Sequence, residues 1–258
     1  MKRTTPKSKK REPALAKPKV AVRLARKPRV TNPRARPQRK AAPRRIAKNA
    51  IGLHALEVLS RLRREYPDAR TELDYQTPLQ LLMATILSAQ CTDKRVNMVT
   101  PLLFQTFPTA ASLADAPPEK LEEIIKSTGF FRNKTKSLIG LGKALVEHHN
   151  GEVPDSMDAL VKLPGVGRKT ANVVLGNAFG KNVGIVVDTH VARLSHRLGL
   201  TKGTDPVKIE QDLMPLFPRD DWALLAHLLI FHGRRVCEAR RPKCEICVLN
   251  DICPSSTV

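Results

Sequence analysis

The chain has 258 residues, of which 45 are Lys or Arg and 24 are Asp or Glu, so its net charge is +21. This length is enough to bury a sizeable core in one or two domains, and no stretch approaches the ~20 consecutive apolar residues of a membrane span. We therefore expect no membrane partner, and the charge favours a partner that is itself negative, such as nucleic acid.

The positive charge is concentrated in residues 1–49, which hold nineteen of the basic residues, a single acidic residue, seven prolines and no aromatic residue. Such a segment cannot bury enough apolar surface to offset the entropy of ordering, so we expect a disordered basic tail. It lacks the apolar centre of a secretory signal. Non-specific attraction to DNA phosphates is the favoured interpretation, and a nuclear address or an Arg-rich organellar transit peptide stay open as alternatives.

From residue 51 onward the apolar residues recur at helical spacing almost throughout, with Pro or Gly at most breaks and no convincing strand pattern. The sequence therefore predicts an all-α protein. The predicted helices span about 50–66, 78–90, 93–106, 118–128, 133–149, 156–162, 168–179, 189–198, 206–216 and 220–233.

In the segment Gly129–Lys134, aromatic and cationic side chains alternate just after a predicted helix. An aromatic side chain on a loop can insert between DNA bases, so Phe130 or Phe131 is a candidate wedge. A hydrophobic residue after a glycine at a helix end also commonly packs back on that helix. The sequence does not choose between the two interpretations.

A tight turn, Leu163-Pro-Gly-Val-Gly167, joins two short predicted helices. Gly165 and Gly167 allow the backbone to approach a ligand closely. The free N–H groups at the start of the second helix favour an anion such as a DNA phosphate. The turn and the following Arg168 therefore form a candidate DNA-binding hairpin.

Lys169 lies in the first turn of the second helix, two residues after the glycine turn. The positive end of the helix dipole disfavours its ammonium form, and the neighbouring Arg168 acts in the same direction. An amine that loses its proton readily can act as a nucleophile. The alternative is an ordinary solvated lysine near the start of a helix.

Asp188 follows the apolar run Ile185–Val187 and precedes a predicted helix that opens with Thr189 and His190. An N-cap is the commonest role for Asp at such a position. A carboxylate close to an amine nucleophile can also orient the amine, transfer protons or stabilise a developing sugar cation. The sequence gives no distance between Asp188 and Lys169.

Four of the five cysteines fall near the C-terminus in the pattern Cys237-x6-Cys244-x2-Cys247-x5-Cys253. Thiolates at this density indicate one metal or cluster site. Zinc sites usually contain two Cys-x2-Cys pairs and only one is present, so zinc and a [4Fe–4S] cluster both stay open. Two disulfides are disfavoured because there is no secretory signal, and the fifth cysteine, Cys91, fits a buried small hydrophobe.

The loop between Cys237 and Cys244 contains three basic residues, Arg240, Arg241 and Lys243. Because it is clamped at both ends by cysteines, a basic loop of this kind suits contact with phosphates. An ordinary solvated run of charges is the alternative.

Taken together, these motifs closely resemble the endonuclease III family of DNA repair glycosylases. The resemblance covers about residues 50–258 and rests on four motifs in this order: Leu87-Ser-Ala-Gln90, Leu163-Pro-Gly-Val-Gly-Arg-Lys-Thr-Ala171, Val187-Asp-Thr-His190 and the cysteine array. It implies a bifunctional DNA glycosylase and abasic-site lyase that acts on oxidised pyrimidines in double-stranded DNA. It further implies one [4Fe–4S] cluster per chain, no nucleotide cofactor, and a monomer associated with DNA inside the cell, in the bacterial nucleoid.

The resemblance also assigns roles to individual residues. Lys169 would attack the sugar C1′ with help from Asp188, form a Schiff base and cut the strand on the 3′ side of the lesion by β-elimination. Gln90 and Phe130 would fill the gap that a flipped nucleotide leaves, and the family often has Leu at the position of Phe130. Two further residues match family positions that face the DNA: His190 and Arg193.

The fold that the resemblance implies has two domains with the active site in the cleft between them. A six-helix domain, about 71–181, would contain the helix-hairpin-helix at about 156–180. A cluster domain would be built from residues 50–70 and 182–258, with its cysteine site at 237–253.

Two rival functions remain at this point. A mismatch adenine glycosylase shares the cluster but lacks the hairpin lysine and has a long extra C-terminal domain, whereas this chain has Lys169 and ends five residues after Cys253. The other rival is a non-catalytic DNA-binding protein in which the hairpin grips phosphate and zinc fills the cysteines.

Overall fold

The computed structural model describes residues 50–258, and this part of the chain contains eleven α-helices and no β-strand. The all-α prediction is confirmed. No helix in this part is long and apolar enough to cross a membrane. The predicted disordered tail, residues 1–49, lies outside the described residues.

In chain order the helices are α1 (Ile51–Glu65), α2 (Pro78–Leu87), α3 (Asp93–Thr106), α4 (Ala110–Ala114), α5 (Pro118–Ile125), α6 (Phe131–His149), α7 (Met157–Leu160), α8 (Arg168–Ala178), α9 (Thr189–Arg197), α10 (Pro206–Leu213) and α11 (Trp222–Arg235).

One of these helices, α4, was not predicted, because five residues are too few to show a helical period. Thr109 and Ser112 cap its start with reciprocal bonds. It packs so closely on α6 that a Cβ at Gly142 would lie 2.5 Å from the backbone nitrogen of Ala114. Helix α3 was predicted with its observed bounds, and the other helices were predicted with shifted ends. Helix α2 ends at Leu87 and not at residue 90, so the residues that follow form a turn.

Helices α2 to α8 enclose the first of two hydrophobic cores. Helix α2 is its central element, since six of its ten residues are buried, the pattern of a helix surrounded on most sides. Fully buried leucines pack around it from four other helices: Leu103, Leu121, Leu138 and Leu175. Helix α8, which carries Lys169, is therefore fixed in this core by its apolar face.

The second core combines the beginning and the end of the described chain. Helix α1 packs against α11, and α9, α10 and the C-terminal segment complete this core. The chain enters it through Ile185–Val187, directly before α9. Both cores lie within one compact unit. The division into two domains at about residues 71 and 182 stays a prediction.

A buried carboxylate joins the two cores next to the hairpin. Glu210 of α10 accepts two hydrogen bonds from Arg168, at 2.8 and 3.1 Å, and one from the Asn172 amide at 3.0 Å. The Glu210 side chain is 5% exposed, and a carboxylate at this depth requires paired donors. Gly184 leaves room for it, because a Cβ there would lie 1.9 Å from Oε1 of Glu210. The start of α8 is thereby fixed relative to the second core.

Candidate active site

A cleft of about 440 Å³ is lined by side chains from both cores. Lys169 reaches it from α8 in the first core, and Asp188 reaches it from the start of α9 in the second. Gln90 and His190 also line the cleft. The fold therefore brings residues from three separate sequence motifs into one cavity.

The turn before Lys169 needs its two glycines for different reasons. Gly165 has a left-handed backbone, with φ of 78°, and a Cβ there would lie 2.8 Å from the Cβ of Ser137 on α6. Gly167 has an extended backbone, and nothing lies within 4 Å of a Cβ built on it. As the N-cap of α8, Gly167 offers no side chain to the first N–H groups of the helix. These groups stay available to an anion from outside the protein.

Asp188 is both an N-cap and part of the cleft lining, and its catalytic role stays a prediction. Its Oδ1 accepts hydrogen bonds from the backbone nitrogens of His190 and Val191, both at 2.8 Å, so it is the N-cap of α9. The same side chain lines the cleft. Both cap bonds use one oxygen, and Oδ2 accepts no hydrogen bond from the described residues. The cap thus orients the carboxylate and leaves an oxygen for other chemistry.

His190 contacts Arg193, for which the family resemblance implied a contact with DNA. Nη2 of Arg193 lies 3.1 Å from Nδ1 of His190. Because a guanidinium only donates, this contact favours a neutral ring with Nδ1 as the acceptor. Burial lowers the pKa of His190, which favours that neutral form. Arg193 also donates to the carbonyls of Gly233 at 2.9 Å and Cys237 at 3.1 Å, so its observed bonds are internal and its contact with DNA stays a prediction.

Sequence reasoning missed an ion-pair network that forms another wall of the cleft. Arg234, in the last turn of α11, pairs with Glu72 and donates to Asp93 at 2.9 Å. All three line the cleft. No local motif marks them, because they come from distant segments and each is a charged residue of a kind common in loops and at helix ends.

Gln90 and Phe130 both project from turns with unusual backbone geometry. The angle φ is 54° at Gln90 and 48° at Phe130, and both side chains are exposed. Phe130 is 62% exposed, whereas Phe131 is partly buried against the first core. Packing onto the protein therefore falls to Phe131, and Phe130 is left as the candidate wedge.

The four C-terminal cysteines line one small cavity of about 30 Å³. All are free thiols, so no disulfide links them. Nη1 of Arg197 lies 3.2 Å from Sγ of Cys237, and Sγ of Cys247 has the backbone nitrogen of Leu249 at 3.4 Å and Nε2 of His232 at 3.3 Å. Hydrogen bonds to sulfur of this kind tune the thiolate ligands of iron–sulfur clusters.

The donor set of the cysteine cavity fits an iron–sulfur cluster. Burial raises the pKa of Cys247 to about 11, so a positively charged group is needed to hold these thiols together as thiolates. Four thiolates around one cavity match a [4Fe–4S] cluster, which takes one cysteine per iron.

The basic loop is held in place by an arginine that the sequence gave no reason to select. Arg197 donates to the carbonyls of Glu238 at 2.7 Å and Ala239 at 2.8 Å. Lys243 is itself bound, to Glu238 at 2.8 Å. Two exposed side chains of the loop make no side-chain hydrogen bond with the described residues: Arg240 and Arg241.

Comparison with known proteins identifies the family. A family model described as HhH-GPD superfamily base excision DNA repair protein matches residues 83–219, and one described as the iron-sulfur binding domain of endonuclease III matches residues 237–253. Endonuclease III of Synechocystis sp. is 58% identical over 202 residues, which cover 78% of this chain and 92% of that protein. The chain belongs to the endonuclease III family.

Further similarities agree with this assignment. Endonuclease III of Escherichia coli (strain K12) is 42% identical over 198 residues, covering 77% of this chain and 93% of that protein. A solved structure of a trapped endonuclease III–DNA covalent intermediate has a TM-score of 0.75 and 43% identity, and the match covers 79% of this chain and 96% of that one. A thermostable thymine-DNA glycosylase, with a TM-score of 0.72 and 22% identity, shares the fold.

The family assignment confirms the fold, the activity and the cofactor that the resemblance implied. The protein is a DNA glycosylase and abasic-site lyase of base excision repair, and its cofactor is a [4Fe–4S] cluster. A non-catalytic zinc protein is not favoured. The segment that matches the iron-sulfur domain begins at Cys237 and ends at Cys253, the two outer cysteines of the cavity described above.

Proposed function

We propose that this endonuclease III-family enzyme excises oxidised pyrimidines from double-stranded DNA, with Lys169 as the nucleophile and Asp188 as its helper. The observation that carries this proposal is the shared cleft, where the Lys169 amine from one core and the Asp188 carboxylate from the other line the same cavity. Its volume of about 440 Å³ lies in the range of small-molecule sites and suits one flipped nucleotide.

The amine accounts for both bond cleavages. Nζ of Lys169 attacks C1′ of the flipped sugar, and the glycosidic bond breaks as the base leaves with the bonding electron pair and takes up a proton. The sugar ring then opens to a Schiff base between Nζ and C1′. This iminium acidifies the C2′ proton, whose removal expels the 3′ phosphate and cuts the strand. Water finally hydrolyses the Schiff base and restores Lys169.

Asp188 suits proton transfer or cation stabilisation in this sequence. Its orientation is fixed by the two cap bonds to Oδ1, so Oδ2 can accept the proton that Lys169 loses or stabilise positive charge that develops on the sugar. A solved relative was trapped as a covalent intermediate with DNA, which supports a covalent mechanism here as well.

DNA binding is proposed for the surfaces around the cleft. The open N-terminus of α8 and the turn formed by Gly165 and Gly167 would hold a phosphate, and Gln90 and Phe130 would enter the duplex. His190, on the cleft wall, would face the flipped nucleotide. The exposed basic loop would contact the backbone. The remaining predicted contacts belong to side chains that already bond within the protein: Arg168, Arg193 and Lys243.

The four cysteines, Cys237, Cys244, Cys247 and Cys253, would hold the [4Fe–4S] cluster. When bound, the cluster cross-links the C-terminal segment and so keeps the basic loop in shape. We also propose that the enzyme acts as a monomer on the bacterial nucleoid. The relatives named above come from bacteria, and a molecular mass near twice 28.6 kDa in solution would contradict the monomer.

The test is borohydride reduction in the presence of a duplex that contains an abasic site. Reduction converts a Schiff base into a stable protein–DNA adduct. We expect the adduct with the wild-type protein and with Lys162→Ala, since Lys162 is exposed and does not line the cleft, and none with Lys169→Ala. An adduct that persists in Lys169→Ala would overturn the assignment of the nucleophile. The substrate class is tested separately with a panel of lesion duplexes, and equal cleavage at oxidised and normal pyrimidines would overturn it.

A further inference from the structure

Lys134 is a buried lysine for which the proposed chemistry has no use. It lies in the first turns of α6 and is 6% exposed. Burial lowers the pKa of its ammonium group, the direction expected when a charge leaves water. Lysines are almost never buried unless they are paired. This position therefore requires bonds that offset the cost of desolvation.

Those bonds join two loops. Nζ of Lys134 donates to the carbonyl oxygen of Leu87 at 2.8 Å and to that of Thr128 at 2.8 Å. Leu87 is the last residue of α2, and the turn that follows it ends in Gln90. Thr128 is the last residue of a 3-10 turn, and Gly129 connects this turn to the exposed Phe130. Carbonyls at helix ends carry partial negative charge, so an ammonium is a suitable partner for both.

The two loops end in residues with a left-handed backbone. Gln90 and Phe130 are two of only three non-glycine residues with positive φ among residues 50–258. The third, Asn150, is a helix C-cap, a position where Asn commonly adopts this geometry. A left-handed backbone at a non-glycine residue is strained and persists only where its surroundings fix it. A bond at the base of both loops provides such a constraint.

We propose that Lys134 is a positioning residue that fixes Gln90 and Phe130 relative to each other, so that they enter the duplex as one rigid pair. The inference rests on the proposed function and adds a requirement to it. Extruding a nucleotide costs unstacking energy, and two side chains fill the gap only if their separation matches that of the opened base stack. Lys134 itself touches neither DNA nor substrate.

The first experiment compares two substrates. Lys134→Met keeps most of the buried volume and removes the N–H donors. We expect single-turnover excision of a lesion from a duplex to fall on the order of 10- to 100-fold, as for a misplaced reacting pair. Cleavage of an abasic site in a single strand should change by less than about twofold, because no base stack has to be opened. Lys136→Met, an exposed lysine on the same helix, is the matched control and should leave both rates unchanged.

The second experiment asks whether Lys134 acts through the loops. In the background Gln90→Ala with Phe130→Ala, adding Lys134→Met should cause no further loss of duplex activity, because the residues it positions are already gone. A purely structural lysine would add its own loss in that background. If Lys134→Met does not fold, Lys134→Leu also removes the N–H donors and serves in the same assays with the same expected results.

The outcomes separate this inference from the proposed function. A wild-type protein that forms no borohydride adduct on any substrate defeats the function. If adducts form but Lys134→Met lowers single-strand and duplex cleavage equally, or if its loss adds fully to that of the double loop variant, the positioning role is overturned. A selective loss on duplex DNA that disappears in the loop background supports it.

Discussion

Arg168 and Lys169 are neighbours in sequence but their side chains have different partners. Lys169 lines the cleft, whereas Arg168 is bound to Glu210, 42 positions further along the chain. The expectation that Arg168 adds positive potential at Lys169 is weakened by this pair, because a carboxylate that accepts two bonds compensates much of the guanidinium charge. The sequence shows the two cations, and only the packing of α10 shows which of them is neutralised.

We expect Glu210→Gln to lower the free energy of unfolding by about 1–3 kcal/mol, less than for a fully buried pair, because the Arg168 side chain is 46% exposed. The substitution leaves the guanidinium beside a neutral amide. The shift in the urea midpoint measures the effect. Glu123→Gln, at an exposed position of α5, is the matched control, and identical midpoints for the two variants would contradict the role assigned to Glu210.

Asp188 has one role that local sequence predicts and one position that it does not. The N-cap role follows from local sequence alone, since the two bonded backbone nitrogens belong to His190 and Val191. Its place in the cleft depends on how the second core packs against the first, which no local pattern encodes. The same limit explains why Arg234, Arg197 and Lys134 were missed, because each bonds to partners far away in the sequence.

At the scale of elements, the two glycines of the hairpin have different expected roles, Gly165 in stability and Gly167 in DNA binding. Gly165→Ala should lower the free energy of unfolding by about 1–3 kcal/mol, because φ there is 78° and the new Cβ would lie 2.8 Å from Ser137. Thermal unfolding followed by circular dichroism measures this change. A variant as stable as the wild type would mean that the hairpin relaxes more easily than its packing indicates.

Gly167→Ala is the counterpart with the opposite expectation. A Cβ at Gly167 meets nothing within 4 Å and the backbone is extended, so stability should stay within about 0.5 kcal/mol. The methyl group would stand in front of the open N-terminus of α8, where a phosphate is proposed to bind. We expect weaker binding to duplex DNA in a fluorescence anisotropy titration, and unchanged affinity would place the phosphate elsewhere.

The elements that the sequence predicted are those whose stabilising pattern is local. Helix α3 was predicted with its observed bounds, and in the structure the side chain of Thr92 caps its start. The end of α2 was predicted three residues too late, because the backbone turns after Leu87. The carbonyl of Leu87 accepts a bond from Lys134, 47 positions further along the chain, and no sequence window around α2 contains that contact.

At the scale of the whole molecule, the second core depends on both ends of the described chain and on the cysteine segment that closes it. Cys244→Ser should abolish visible absorption and bound iron, because the cluster loses one of four proposed ligands, and should expose the C-terminal segment to proteolysis. Cys91→Ser, outside the cysteine cavity, is the control and should keep both. Full iron content in Cys244→Ser would remove that cysteine from the ligand set.

Deleting the basic tail would show whether non-specific DNA binding and the preference for damaged DNA depend on different parts of this protein. Residues 1–49 hold nineteen of the 45 basic residues, while the cleft and the loops around it lie in residues 50–258. The slope of log affinity against log salt is about −0.9 per phosphate neutralised, so deletion of the tail should flatten the slope measured on undamaged duplex. The ratio of affinities for damaged and undamaged DNA should stay nearly constant, because the groups that would contact the lesion are untouched. An unchanged slope would show that the tail does not bind phosphates and would favour one of its alternative roles as an address.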